Sequence, residues 1–181
     1  MIIPIKYNDE YDEFIEDLSL QMRISNYVEK HFELAFFFAQ FAPVYLLGGG
    51  IRDLILARQP KDLDFVIVGT HHLSVVKEIL QKFNIRYSFN KFGGYKIEYK
   101  DKYNGSEIKI DLWLTDDLFT AIQFNVDGLF FDMCSKQLVS LTFNDFIQNG
   151  LKEVNPNNND EGSKKERIRK LTRFQEEFRR L

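Results

Sequence analysis

Asp62 and Asp64 stand two residues apart in the run Pro60-Lys61-Asp62-Leu63-Asp64-Phe65-Val66. Alternation along a strand puts both on one face, about 6.6 Å apart at about 3.3 Å per residue, with Leu63 and Phe65 on the other. Carboxylates that close repel each other unless something positive lies between them. A hard divalent cation, Mg²⁺ or Mn²⁺, meets that need, because it takes carboxylate oxygens and shares its shell with substrate phosphates. Asp111 is a third acid in a similar setting: Ile108, Ile110, Leu112 and Leu114 alternate with Lys109, Asp111 and Trp113, so Asp111 projects from a strand on the Lys109 and Trp113 face. Three acids on two neighbouring strands can hold two metals about 3.5–4 Å apart, the spacing used for in-line phosphoryl displacement. One metal would lower the pKa of an attacking hydroxyl while the other neutralises a pyrophosphate leaving group.

The elements before the acids supply a place for the phosphates. Val44, Tyr45, Leu46 and Leu47 form a short apolar run, Gly48-Gly49-Gly50 a turn, and residues 51–57 a helix whose first N–H groups face that turn. A helix N-terminus beside side-chain-free backbone is an anion site. Alone, a triple-glycine turn is more often structural, and an Asp-x-Asp pair is more often a solvated strand end. Their order and spacing here favour a nucleoside triphosphate site.

Gly48-Gly49-Gly50-Ile51-Arg52-Asp53, followed by Lys61-Asp62-Leu63-Asp64-Phe65-Val66, resembles the head-domain signature of class II CCA-adding enzymes and bacterial poly(A) polymerases, within the DNA polymerase β-like nucleotidyltransferases. The resemblance implies that Gly48 and Gly49 contact the triphosphate, that Asp62 and Asp64 bind the metals, and that Asp111 helps to activate an incoming 3′-hydroxyl. Arg52 and Asp53 belong to the same motif and would brace the turn. Toward the C-terminus the chain departs from the family. The segment Arg-Arg-Asp-Phe-Thr-Ile-Asn has as its nearest match Ala121-Ile122-Gln123-Phe124-Asn125-Val126-Asp127, with neither arginine. The base-reading motif Glu-Asp-x-x-Arg is met in Lys165-Glu166-Arg167-Ile168-Arg169 only at Arg169, with glutamate for aspartate at Glu166. Ordered addition of C and then A is therefore not expected, and Arg169 is the remaining candidate for contact with the base.

The remaining periodicities give an α/β chain of α+β type, a mixed sheet flanked by helices. Residues 9–22 and 24–41 have helical spacing, as do residues 73–83; residues 85–89, 95–99 and 107–114 read as strands, with Asn104-Gly105 turning the last two into a hairpin. Residues 126–131 and 137–141 form a further strand pair, and residues 144–148 a short helix. The division expected is a head domain over 1–150, a linker over 151–160 containing Asn155-Pro156-Asn157-Asn158-Asn159-Asp160, and a C-terminal helix over 161–181, the remnant of a neck. Ile168, Leu171, Phe174, Phe178 and Leu181 give that helix one apolar face.

At 181 residues and 44% apolar content the chain can bury a core of one domain. No apolar run is long enough for a membrane span, and the first 20 residues hold six acids against Lys6, the opposite of a targeting signal, so a cytoplasmic location is expected. Cys134 reads as a reduced structural thiol, and His71 and His72 as capping or solvent-facing residues at the start of a helix. Residues 161–181 carry eight basic residues and four acids, within a net charge of −3 for the whole chain. That basic face offers RNA a contact but equally reads as the wet side of a packed helix. The function expected is transfer of a nucleoside monophosphate, AMP first, from an NTP to a hydroxyl acceptor, most naturally an RNA or tRNA 3′ end. A homodimer or a protein partner would supply the grip that one helix cannot. The alternatives are a nucleotide-binding or partner-binding module with little turnover, and a toxin–antitoxin or defence enzyme acting on protein or tRNA.

Overall fold

The computed structural model describes residues 18–100, 105, 107–156 and 161–181. Seven strands form one sheet: β1 (Val44–Leu47), β2 (Asp62–Val68), β3 (Tyr87–Phe89), β4 (Tyr95–Lys100), β5 (Glu107–Thr115), β6 (Leu129–Asp132) and β7 (Gln137–Ser140). Their spatial order is β3-β4-β5-β2-β1-β6-β7. Every neighbouring pair is antiparallel except β2 and β5, which are parallel with Asp64 beside Asp111. Six α-helices accompany the sheet among the described residues: α1 (Leu18–Phe32), α2 (Leu34–Phe38), α3 (Gly49–Ile55), α4 (Leu73–Lys82), α5 (Phe143–Asn149) and α6 (Glu161–Phe178). The mixed sheet flanked by helices is the one read from the periodicities.

Alternation decides which face of each central strand is dry. Leu63, Phe65 and Ile67 of β2, Ile108, Ile110 and Leu112 of β5, and Val44 and Leu46 of β1 turn to one side, into the main core. There they meet α1, whose Leu20, Ile24, Val28 and Phe32 recur every four residues and are almost wholly buried. The other face carries Tyr45, Leu47, Val66, Val68 and Trp113 over a smaller cluster with Leu118, Ile122 and Phe130. Asp64 and Asp111 belong to this second face by the same alternation, because each lies two residues before a member of the cluster. α6 packs Leu171 and Phe174 into the main core, with the Phe174 ring stacked 6.1 Å from Phe146 of α5.

Several boundaries move. The glycine-turn helix begins at Gly49, two residues before Ile51, because Gly48 alone makes the turn and the next two glycines continue as helix. The break near the N-terminus falls after Phe32 instead of near residue 23, so α1 runs through Met22 and Arg23 into the phenylalanine-rich segment. Tyr11, Phe14 and Ile15 of the expected helix over 9–22, Asn104 of the expected hairpin turn, and residues 157–160 of the expected linker lie outside the described residues. The strand expected from residue 126 begins at Leu129, because residues 125–128 form a tight turn in which Asp127 accepts from the N–H of Phe124. Residues 153–155 lie against the body: the N–H groups of Val154 and Asn155 both donate to the Gln123 carbonyl. Leu181 falls out of the apolar stripe of α6 and is exposed, while Cys134 sits exposed in the β6–β7 turn instead of in the core. No described helix is long and apolar enough to cross a membrane.

Candidate active site

An open cleft of about 1110 Å³ lies over the second face of the sheet and is lined by Gly48, Asp64, Lys96, Asp111, Trp113, Asp127 and Arg167 together with the β3–β4 connection. Gly48 reaches it by a backbone that few other residues adopt, with φ +76°. The Asp64 carboxylate lies so close to this turn that a Cβ on Gly48 would stand 2.7 Å from Oδ2. The three glycines therefore do three different things. Gly48 makes the turn against Asp64, whereas a Cβ on Gly49 would meet nothing nearer than Arg52 Nη2 at 3.9 Å. Gly50 is buried and lets α3 settle on β2, where a Cβ would stand 2.9 Å from Leu63 Cδ2 and 3.2 Å from the Asp62 carbonyl. Gly49 itself is not among the residues that line the cleft.

Asp64 and Asp111 are register partners on parallel strands, so their carboxylates share one face at one level of the sheet. Burial, with repulsion from Asp62 and then Asp111, pushes the Asp64 carboxyl up to about 7, against the pull of Arg52 and Arg167. Asp111 Oδ1 is buried without a hydrogen-bond partner in the protein. An orphaned carboxylate oxygen beside a buried carboxyl whose ionisation is resisted by burial and by neighbouring acids is a donor set that a divalent cation would complete, so the residues fit the expected metal. Asp62 is exposed at the first position of β2, on the same face but outside the cleft lining. Among the described residues no group of three or more carboxylate, imidazole or thiol side chains is arranged to hold a metal ion.

Arg52 and Asp53 leave the turn in different directions. Arg52 Nη1 donates to Asp127 Oδ1 at 2.9 Å. Asp53 is partly buried; burial raises its pKa first, against the opposing pull of Arg52 and Arg58. It is not a lining residue. Asp127 is 2% exposed and accepts a second guanidinium, Arg167 Nη2 to Oδ2 at 2.9 Å, along with the Phe124 N–H. One buried carboxylate thus ties the start of α6 to the glycine turn. Neither His71 nor His72 lines the cleft; their ring centroids lie 4.0 Å apart in a tilted arrangement.

Asp127 and Arg167 are the site residues that sequence reasoning missed. Arg169 is exposed and outside the cleft, and the arginine inside it comes two residues earlier. A signal was available: Arg167, Leu171, Phe174 and Phe178 recur at the spacing of one helical face, the face that packs, whereas Arg169 falls on the wet side. Asp127 had no such signal, because its partners lie 75 and 40 residues away in the chain.

Residues 44–112 match the family model described as the poly A polymerase head domain. The matched span begins with β1 and ends one residue past Asp111, so it takes in the glycine turn and all three acids. Among solved structures, the Thermotoga maritima CCA-adding enzyme complexed with tRNA is similar at a TM-score of 0.53 and 18% identity, over 76% of this chain and 35% of that one. A tRNA nucleotidyltransferase complexed with a primer tRNA and an incoming ATP analogue is similar at a TM-score of 0.47 and 17% identity, over 64% of this chain and 36% of that one. The chain thus spans about a third of the length of these enzymes. No curated protein gives a match. Over residues 44–112 the chain is thus similar to a poly A polymerase head domain, and its fold is similar to part of a CCA-adding enzyme.

Proposed function

We propose that the cleft transfers a nucleoside monophosphate, AMP first, from an NTP to a hydroxyl at the 3′ end of an RNA. The observation that carries this reading is the register pairing of Asp64 with Asp111, with the Asp64 carboxylate against the Gly48 turn, in a segment similar to a poly A polymerase head domain. The Gly48 backbone at the cleft would receive the triphosphate, and the two carboxylates, with Asp62 at the rim, would hold Mg²⁺ or Mn²⁺. When bound, the metal supplies charge neutralisation for the phosphates and acidifies the attacking hydroxyl. In the transfer, the acceptor oxygen bonds to the α-phosphorus and the bond to the bridging oxygen of the β-phosphate breaks, releasing pyrophosphate. The Asp111 carboxylate is placed to take the hydroxyl proton. Arg167 contributes positive charge at the cleft wall while Asp127 fixes where it stands.

A second reading, a nucleotide-binding module with little turnover, is favoured by one feature: both arginines near the acids are already bound to Asp127. Thermal denaturation with Mg²⁺ and each NTP tests the binding common to both readings, since a ligand that binds only the folded state raises the midpoint. The wild-type midpoint should rise with a metal–NTP pair, and the rise should vanish in Asp64→Asn and Asp111→Asn. The absence of any shift with all four NTPs would remove the nucleotide site. Labelled pyrophosphate release separates an enzyme from a binding module.

A further inference from the structure

The sheet order sets two different walls on the cleft. The glycine turn and Arg167 stand on the β1 side, whereas the opposite wall, beyond Asp111, is the tip of the β3–β4 hairpin. That tip is built to display aromatic rings. Asn90 Oδ1 accepts from the N–H groups of Phe92 and Gly94, both at 2.9 Å, while the Asn90 N–H donates to the Gly94 carbonyl at 2.8 Å. Gly94 is buried where a Cβ would stand 3.2 Å from Trp113 Cβ, so the tip is drawn against β5 two residues from Asp111. Phe92 is nonetheless 77% exposed and Phe89 56% exposed, and both line the cleft. Lys91 Nζ lies 4.9 Å from the Phe92 ring, and Lys96, the register partner of Asp111, adds a second cation on the same wall.

Exposed rings interleaved with lysines mark an interaction surface, and they match unpaired bases on a phosphodiester backbone. Charge complementarity favours nucleic acid on this wall, since Lys91 and Lys96 both line it, Lys96 on the strand beside Asp111. We propose that the β3–β4 tip is a stacking platform for the terminal bases of a single-stranded RNA acceptor, with Phe92 as the principal ring and Lys91 and Lys96 meeting the phosphates. The inference rests on the nucleotidyltransferase reading for the direction in which the strand points, with its 3′ end toward Asp111.

Binding of a short single-stranded oligoribonucleotide carrying 2-aminopurine at its 3′ end tests the platform without any nucleotide or turnover. The full chain should bind it and quench its fluorescence; Phe92→Ala should weaken binding about tenfold and abolish the quench, and Phe92→Tyr should restore both. Lys91→Gln should lower the salt dependence of binding by about one phosphate contact. Far-UV circular dichroism and the ligand-free melting midpoint of Phe92→Ala, measured on the same samples, should match wild type and report that the variant is folded. A wild-type chain that does not bind the oligonucleotide, or a Phe92→Ala variant that binds and quenches like wild type, overturns the platform even where the NTP shift is present. Phe92-dependent binding without any NTP shift would uphold the platform and remove the transferase reading.

Discussion

The β1–α3–β2 unit and the Asp127 cluster both shape the cleft, but they are assembled in opposite ways. In the first, Gly48, Asp62 and Asp64 lie within 17 consecutive residues, and local rules place them: a turn, a helix start and the period of a strand. In the second, Arg52, Asp127 and Arg167 arrive from three separate segments and meet only because the β6 strand and α6 pack where they do. The local unit carries the groups proposed for the chemistry and holds little stability through them. The convergent cluster does the reverse, since a buried carboxylate with two guanidiniums depends on every partner being present.

The sharpest break in this comparison is Asp127→Ala. Two guanidiniums would lose a buried partner and the Phe124 N–H its acceptor, so stability should fall by about 3–5 kcal/mol in chemical denaturation. Asp64→Asn should do the opposite in the metal-free protein at neutral pH. The folded pKa of Asp64, about 7, lies above its unfolded value, so folding favours the neutral acid. That contribution is complete below about pH 4 and is lost as the pH rises toward 7. The melting midpoint of Asp64→Asn relative to wild type should therefore rise over that window without metal, and added Mg²⁺ should narrow the difference. A difference that stays constant from about pH 4 to neutrality would show that Asp64 is not under this strain.

Within the glycine turn the comparison can be sharpened residue by residue. Gly50→Ala should cost about 1–3 kcal/mol by forcing α3 off β2. Gly49→Ala should change stability by less than about 0.5 kcal/mol, because the space beyond its Cα is open. Any loss of nucleotide affinity in Gly49→Val would then report the approach of phosphate instead of a strained turn. The smallest effect belongs to Arg169→Ala, which should alter neither stability nor the choice of NTP, since Arg169 is exposed and outside the cleft. Strictly ordered incorporation of C and then A, abolished by that substitution, would contradict the placement.

What was legible in the chain follows the same division. β1 came from a short apolar run and β2, β4 and β5 from strand patterns with clear ends, and the face of each acid on its own strand came from counting along it. The parallel register that sets them side by side did not, because the pairing of β2 with β5 is fixed by packing across more than 40 intervening residues. The start of α3 was misplaced since glycine at a helix start leaves no side-chain signal. Arg167 was overlooked in favour of Arg169 because motif spacing was weighed above the helical face. The hairpin tip carried no periodic signal, and its role depends on Gly94 bringing Phe92 near Asp111, a relation visible only in three dimensions.

The central claim is that Asp64 and Asp111, facing Gly48, form a transferase site instead of an inert nucleotide cradle. The direct test is transfer of label from α-labelled NTP onto a single-stranded oligoribonucleotide in the presence of Mg²⁺, comparing the wild-type chain with a folded Asp111→Asn variant. The account predicts metal-dependent extension of the 3′ end with ATP as the best donor, reduced by at least about 10²-fold in Asp111→Asn. Extension by Asp111→Asn at the wild-type rate, or a wild-type chain that binds metal–NTP yet transfers nothing from any of the four, would contradict it.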